Sequence, residues 1–298
     1  MKEAKKVLLT GGTGFVGNRL VNALVAAGHT VSVVTRTPER HRTARAGVDY
    51  VGWLPPLDRH QALVHLSGEP IFGARWSAEV KGAIRASRID STRRLVEALR
   101  ACARRPAVLV CASAIGWYGD RGDEVLTEAS APGSGFLAEV CQAWEDEAQR
   151  AEELGVRVVR VRIGVVLGAK GGALAQMLLP FKLGLGGPLG SGSQWFSWVH
   201  LRDVVALFVR AVDDPSLRGA FNATAPNPVT NREFTRTLGR VLHRPAFLPI
   251  PPLALRLRFG DAAQVLTASQ RCLPEAALRA GFTFQFATLE GALRDILD

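Results

Sequence analysis

Few of the residues that usually specialise in chemistry are present. Of 298 residues only four are cysteine (Cys102, Cys111, Cys141 and Cys272), with no CxxC pair and no Cys/His ligand spacing. That excludes a disulfide framework and a zinc-ribbon site, and the four are expected to be reduced thiols in an apolar core. The six histidines are scattered, and no HExxH, GxSxG or Walker phosphate loop occurs, so metalloprotease, serine hydrolase and P-loop readings lose their support. No uninterrupted apolar run is long enough to cross a bilayer, and Lys6 leads directly into a short apolar run and a glycine turn rather than into a secretory leader. The expectation is a cytoplasmic protein with no membrane partner. Tyrosine is scarce too: the chain has two.

Arginine and apolar residues are plentiful. The formal net charge is +10, and all but six of the 37 basic residues are arginine. They are spread along the chain without interleaved aromatics, which reads as a solvated surface rather than a nucleic-acid face. No nucleic-acid partner is expected, although a positive field would help draw in a phosphorylated ligand. A hydrophobic share of 47% is ample for a large core.

The first half alternates short β-branched runs with helical patterns, the signature of a parallel sheet with crossover helices. Strands are expected at Lys6–Thr10, Thr30–Thr35, Asp49–Trp53, Ala62–Leu66, Ala107–Ala112 and Val156–Ile163, each a continuous apolar run as strands covered on both faces should be. Helices are expected at 14–27, closed by Gly28, and at 79–103, 135–154, 201–213, 230–242 and near the C-terminus, with at most a short one between Arg36 and Gly47. The fold class is therefore α/β, a Rossmann-type doubly wound parallel sheet over residues 1–166. A smaller substrate lobe over 167–298, partly interleaved with the sheet, closes over its carboxyl edge.

The stretch "KVLLTGGTGFVGNRLV" places Gly11, Gly14 and Gly17 between the first strand and the first helix. Such a turn lets backbone approach a pyrophosphate while the helix N-terminus offers unpaired N–H groups. The next strand ends Val33-Val34-Thr35-Arg36, with Arg36 25 residues beyond Gly11 and no carboxylate before Glu39. An arginine there suits a 2′-phosphate, so NADP(H) is the expected cofactor, with Thr35 as a second phosphate contact. Counting 100° per residue from Val80, Ile84, Arg88, Leu95 and Leu99 fall on one apolar stripe. Arg88 then needs a partner, either a carboxylate or an anionic ligand at the sheet edge.

Several segments together resemble the extended short-chain dehydrogenase/reductase superfamily, and within it the atypical epimerase-family branch described as nucleoside-diphosphate-sugar epimerases. They are "TGGTGFVG", "HLSGEPI", "RWSAEVKGAIRASRIDST", "SAIGWYG", "FLAEVCQAWE", "RIGVVLG", "LLPFKLGLGGPLGSG" and "WVHLRDV", and the segment from about Phe247 to Asp298 resembles that branch's own terminal domain. The resemblance implies a Rossmann-type domain binding NADP(H). It assigns Gly11, Thr13, Gly14, Phe15, Val16 and Gly17 to the pyrophosphate, Thr35 and Arg36 to the adenosine phosphate, and Leu66 and Ser67 to the segment along the cofactor. Arg88 becomes a polar cofactor contact and Val165 the nicotinamide side. The segment "LPPLDRHQ" is short, which leaves the adenine contacts open.

Reductases of the superfamily use a tyrosine as acid/base with a lysine four residues later. Here Tyr50 is followed at that distance by Leu54 and Tyr118 by Gly122, and the nearest match in the expected helix puts Phe136 and Val140 in those places. Acid/base help is worth about 10² to 10⁴ in rate, so another donor must replace the pair or no standard carbonyl reduction occurs. Tyr118 is the leading substitute, with Ser113 assisting, although Tyr118 is equally readable as a pocket wall; Ser113 or Ala114 occupies the superfamily serine position. Cys141 reads as a buried thiol, Asp203 beside His200 as a capping or orienting carboxylate, and Glu145, Asp146 and Glu147 as a solvated helix face. Trp117, Trp195, Phe196 and Trp198 either line a pocket or belong to the core. Two functions remain: an oxidoreductase or epimerase-like enzyme moving hydride to or from a small polar substrate, a sugar nucleotide among the candidates, or a non-catalytic NADPH sensor or scaffold. The chain is expected to be a monomer or homodimer.

Overall fold

The computed structural model describes residues 3–41, 46–72 and 75–298; of the Arg36–Gly47 connection, 42–45 lie outside the described residues. Five strands open the chain, β1 (Lys6–Thr10), β2 (Thr30–Val34), β3 (Val48–Val51), β4 (Ala62–His65) and β5 (Val108–Ala114). The short β6 (Val125–Leu126) precedes β7 (Arg157–Ile163), β8 (Val165–Leu167), β9 (Trp195–Phe196), β10 (Trp198–His200), β11 (Gly219–Ala223), β12 (Val229–Thr230) and β13 (Arg271–Cys272). Seven of these form one sheet in the order β11-β7-β5-β4-β1-β2-β3, every pairing parallel. This is the expected doubly wound arrangement, with the order reversing between β1 and β4, where open α/β sheets leave a crevice at the carboxyl ends.

The helices are amphipathic and cover both faces. α1 (Phe15–Ala26) buries Gly17, Leu20, Val21 and Leu24 and ends at Gly28, whose φ of 90° suits only glycine well. On its face of the sheet lies α5 (Leu201–Asp213); on the other, α2 (Ala78–Ala101) packs along α3 (Phe136–Gln149). The helix expected at 135–154 thus stops at Gln149, and Gly155 at φ 78° turns the chain into β7. Between Arg36 and Gly47 only a single 3-10 turn, Pro38–His41, is described.

Besides the short strands β6, β8–β10, β12 and β13, two larger elements were not legible in the sequence. β11 has one large apolar residue, Phe221, yet it extends the sheet beyond β7. α4 (Gly172–Lys182) carries Pro180 in its last turn and begins among glycines. It forms a second core with α6 (Asn231–Val241) and α10 (Leu289–Leu297), built on Leu174, Phe181, Trp198, Phe234, Leu238 and Leu293. The helices between these last two are α7 (Pro252–Phe259), α8 (Ala263–Thr267) and α9 (Glu275–Arg279).

Candidate functional site

The glycine turn sits at the crevice. After β1, Gly11 adopts φ 70°, and a Cβ there would lie 2.8 Å from the Leu66 carbonyl at the end of β4. The turn closes through the Gly14 N–H to the Gly11 carbonyl at 3.0 Å. Gly17 is the tightest position: a side chain would come within 2.1 Å of that same carbonyl oxygen, so only glycine lets α1 pack this close to the strand. Thr13 and Gly14 are exposed, and α1 begins with no side-chain cap and no acidic residue in its first turn. Its leading N–H groups and its positive dipole end are therefore free for an anion. The Phe15 ring is enclosed by Gly168, Gly171 and Gly172, so the second half of the chain backs the turn.

Two cations face this region without internal neutralisation. Arg36 follows β2 beside Thr35, is exposed, and makes no ion pair among the described residues; Thr35 Oγ1 accepts the Thr37 N–H at 3.3 Å. Arg88 is mostly buried on α2, and burial pulls its pKa down. No carboxylate pairs with it among the described residues. It donates to the Ile84 carbonyl at 3.2 Å and to Ser87 Oγ at 3.4 Å, with its cation 5.5 Å from the Trp144 ring. Its guanidinium carbon stands 3.0 Å from where a Gly68 Cβ would be, just past Leu66 and Ser67. Of the two partners open to Arg88, no carboxylate lies within ion-pair distance among the described residues, and Glu69 acts on it only through space. Between the carboxyl ends of β1 and β4, His65 is fully buried and bonded to Thr10 Oγ1 at 2.7 Å and Ser91 Oγ at 3.1 Å. Burial lowers its pKa to about 4, so it stays neutral and ties α2 to the crevice.

Tyr118 and Ser113 lie elsewhere in character. The Tyr118 side chain is 0% exposed, donates to Asn222 Oδ1 at 2.8 Å and accepts from Arg162 Nη1 at 3.0 Å. Burial pushes its phenol well above the ordinary value, with Arg162 pulling less strongly the other way. Arg162 grips Glu145 with two bonds, 2.8 and 2.9 Å, and stacks 3.9 Å from the Trp117 ring. Ser113 donates to the same Glu145 at 2.7 Å. Glu145 is thus 1% exposed, which corrects the expectation of a solvated face; of its neighbours only Asp146 is exposed, and Glu147 pairs with Arg93. The network joins β5, α3, β7 and β11. The clue available in the sequence was Arg160 and Arg162 alternating within a strand whose other residues after Arg157 are apolar; nothing signalled Asn222.

The places expected for the Tyr/Lys pair hold Phe136, edge-on to Trp76 at 5.2 Å, and the buried Val140. Cys141 is buried, and burial raises its pKa to about 11, against a nucleophilic role. His200, not Asp203, caps α5; Asp203 holds the Gln285 and Phe286 amides at 2.8 and 3.1 Å. Trp198 is wholly core, Phe196 stacks on Phe234, and Trp195 bonds Asp123. Val165 is half-buried, paired with Trp198 across β8 and β10. No group of three or more metal-ligating side chains gathers, and no helix is long and apolar enough to cross a membrane, among the described residues. A cavity of about 1180 Å³ lies away from the crevice, in a hollow between α1 and α5 lined by Arg19, Arg202, Arg210, Asp213 and Asp295.

Residues 7–223 match the NAD dependent epimerase/dehydratase family. The chain belongs to that family. Residues 250–296 match a separate domain of unknown function, DUF1731, which accords with the terminal-domain resemblance. An Arabidopsis thaliana protein, the chloroplastic homolog of epimerase family protein SDR39U1, is 43% identical over 98% of this chain and 86% of its own length. Epimerase family protein YfhF of Bacillus subtilis is 38% identical over 98% and 97%. The crystal structure of human epimerase family protein SDR39U1 (isoform 2) with NADPH superposes with a TM-score of 0.88 at 33% identity, covering 98% of both chains.

Proposed function

We propose that this chain binds NADP(H) across the β1/β4 crevice and acts as an oxidoreductase or epimerase-like enzyme on a small polar substrate, a sugar nucleotide being one candidate class. The observation that carries the reading is the turn at Gly11–Gly17, where a side chain at Gly11 or Gly17 would meet backbone and the first N–H groups of α1 are uncapped, while Arg36, which makes no ion pair among the described residues, follows the next strand. In this reading the amides of Thr13, Phe15 and Val16 hold the pyrophosphate, and Gly11, Gly14 and Gly17 let the backbone come close to it. Arg36 and Thr35 take the 2′-phosphate, Leu66 and Ser67 line the cofactor's path, Arg88 supplies a charge-assisted contact, and Val165 borders the nicotinamide. The human relative solved with NADPH supports it. When bound, the nicotinamide supplies or takes hydride. The chain's own residues bind and orient; Tyr118 and Ser113 serve the fold, since both hydroxyls are engaged in the buried network.

That engagement favours a second reading, in which the cofactor is held without turnover. Calorimetry with NADPH and NADH tests the binding step: Arg36→Ala should weaken NADPH by about 1.5 to 3 kcal/mol, as for a charge-assisted bond, and leave NADH unchanged. Equal losses for both would overturn the 2′-phosphate assignment. Single-turnover hydride transfer against carbonyl and sugar-nucleotide panels then separates enzyme from sensor.

A further inference from the structure

A second basic hollow lies on the smaller lobe, outside the crevice. It encloses about 580 Å³ and is walled by α6, by Pro188, Gly190 and Ser191, and by the segment from Arg244 to Pro249. Arg232, Arg236 and Arg240 recur every four residues on α6, and Arg244 follows the helix end. Four residues of helix rise about 6 Å, so the three stems span about 12 Å, the length of a small phosphorylated molecule rather than of a bare ion.

The charges there are poorly neutralised. Arg232 donates to the Ser191 carbonyl at 2.6 Å and Arg244 to the Lys182 carbonyl at 3.1 Å, which fixes both side chains without cancelling their charge. Arg240 shares Glu290 with Arg294. Arg236 has no hydrogen bond or ion pair among the described residues. The one acidic residue within the arginine row, Glu233, is occupied by the capping box with Thr230. Like charges four residues apart weaken a helix, so the row is unfavourable until something negative joins it.

A second, independent feature lies at the same hollow. Thr235 lines it, is 1% exposed, and its hydroxyl has no partner; a buried hydroxyl is expected to find one. At the rim, Phe247 is 71% exposed and presents a flat apolar face beside the cations. We propose that this hollow is a binding site for a small phosphorylated ligand carrying an aromatic ring, a nucleoside diphosphate or triphosphate by chemical class. The arginines would hold the phosphates, Thr235 would bond to one phosphate oxygen, and Phe247 would stack on the ring.

The test uses the full chain saturated with NADPH, so that the crevice is blocked, titrated with ADP by calorimetry at about 0.15 M salt. NADPH affinity is measured first, so a failure there is visible separately. The expected result is saturable one-to-one ADP binding. It should weaken about tenfold or more in Arg236→Glu, by severalfold in Thr235→Val, and recover in Thr235→Ser, with NADPH affinity unchanged in all three. Arg236 is exposed, so its variant folds whatever Thr235→Val does. The proposal is overturned if no saturable heat appears up to about 5 mM ADP, or if Arg236→Glu binds ADP as well as the parent. It is equally overturned if only anionic phospholipid vesicles or long polyphosphate are captured, with a steep loss on adding salt.

Discussion

The crevice at the carboxyl ends of β1 and β4 and the knot beneath Tyr118 are both rich in polar groups, but they treat them in opposite ways. Around Tyr118, each of the Ser113, Glu145, Arg162 and Asn222 side chains finds a partner inside the chain. At the crevice, the first amides of α1, the Arg36 cation and the Arg88 charge find no neutralising partner among the described residues. A low-dielectric interior penalises unmet charge, so full pairing marks architecture and missing pairing marks the place reserved for a ligand.

The sharpest way to break this contrast is to unpair the knot. Glu145→Ala strands Arg162 without its carboxylate, and loss of one partner of a buried ion pair costs about 3 to 5 kcal/mol, so the unfolding midpoint should fall steeply in denaturant melts. Comparable stability to the parent would mean that the knot is not structural. Gly17→Ala places a methyl against the Gly11 carbonyl and should abolish NADPH binding in calorimetry while the sheet still folds by circular dichroism. Tyr118→Phe removes one donor and one acceptor inside the knot. It should cost about 1 to 3 kcal/mol of stability and leave any hydride-transfer rate within about twofold; a collapse of turnover would move Tyr118 from architecture to chemistry. The smallest effect concerns His65. Its pKa falls from the ordinary 6.5 to about 4 in the folded chain, so between those values the unfolded state binds more protons. The stability His65 contributes is therefore complete above pH 6.5 and is lost as the pH falls towards 4. His65→Gln should flatten that part of the pH profile in thermal melts.

Much of the architecture was readable because parallel strands buried on both faces are continuous apolar runs. β1 matches the expected Lys6–Thr10 and α5 the expected 201–213, and the other sheet strands of the first half differ by one or two residues at their ends. β11 escaped because Gly-Ala-Phe-Asn-Ala has neither a run nor an alternation, and its place in the sheet is set by pairing with β7, a long-range fact. The glycine turn was legible because its chemistry is local. The partners of Tyr118 were not: Arg162 lies 44 residues away in sequence and Asn222 104, and no periodicity reports such a distance. Glu145 misled for the same reason, since a run of three acids looks solvated until a strand brings Arg162 beneath one of them.

The late position of β11 also limits how the chain can be divided. A polypeptide stopped soon after β7 would display the ladder of amides that Gly219–Ala223 otherwise covers, and such a bare edge invites pairing with another copy. The shortest transplantable nucleotide-binding unit must therefore carry about sixty residues of the following lobe as ballast, to roughly Ala223, where the family match also stops.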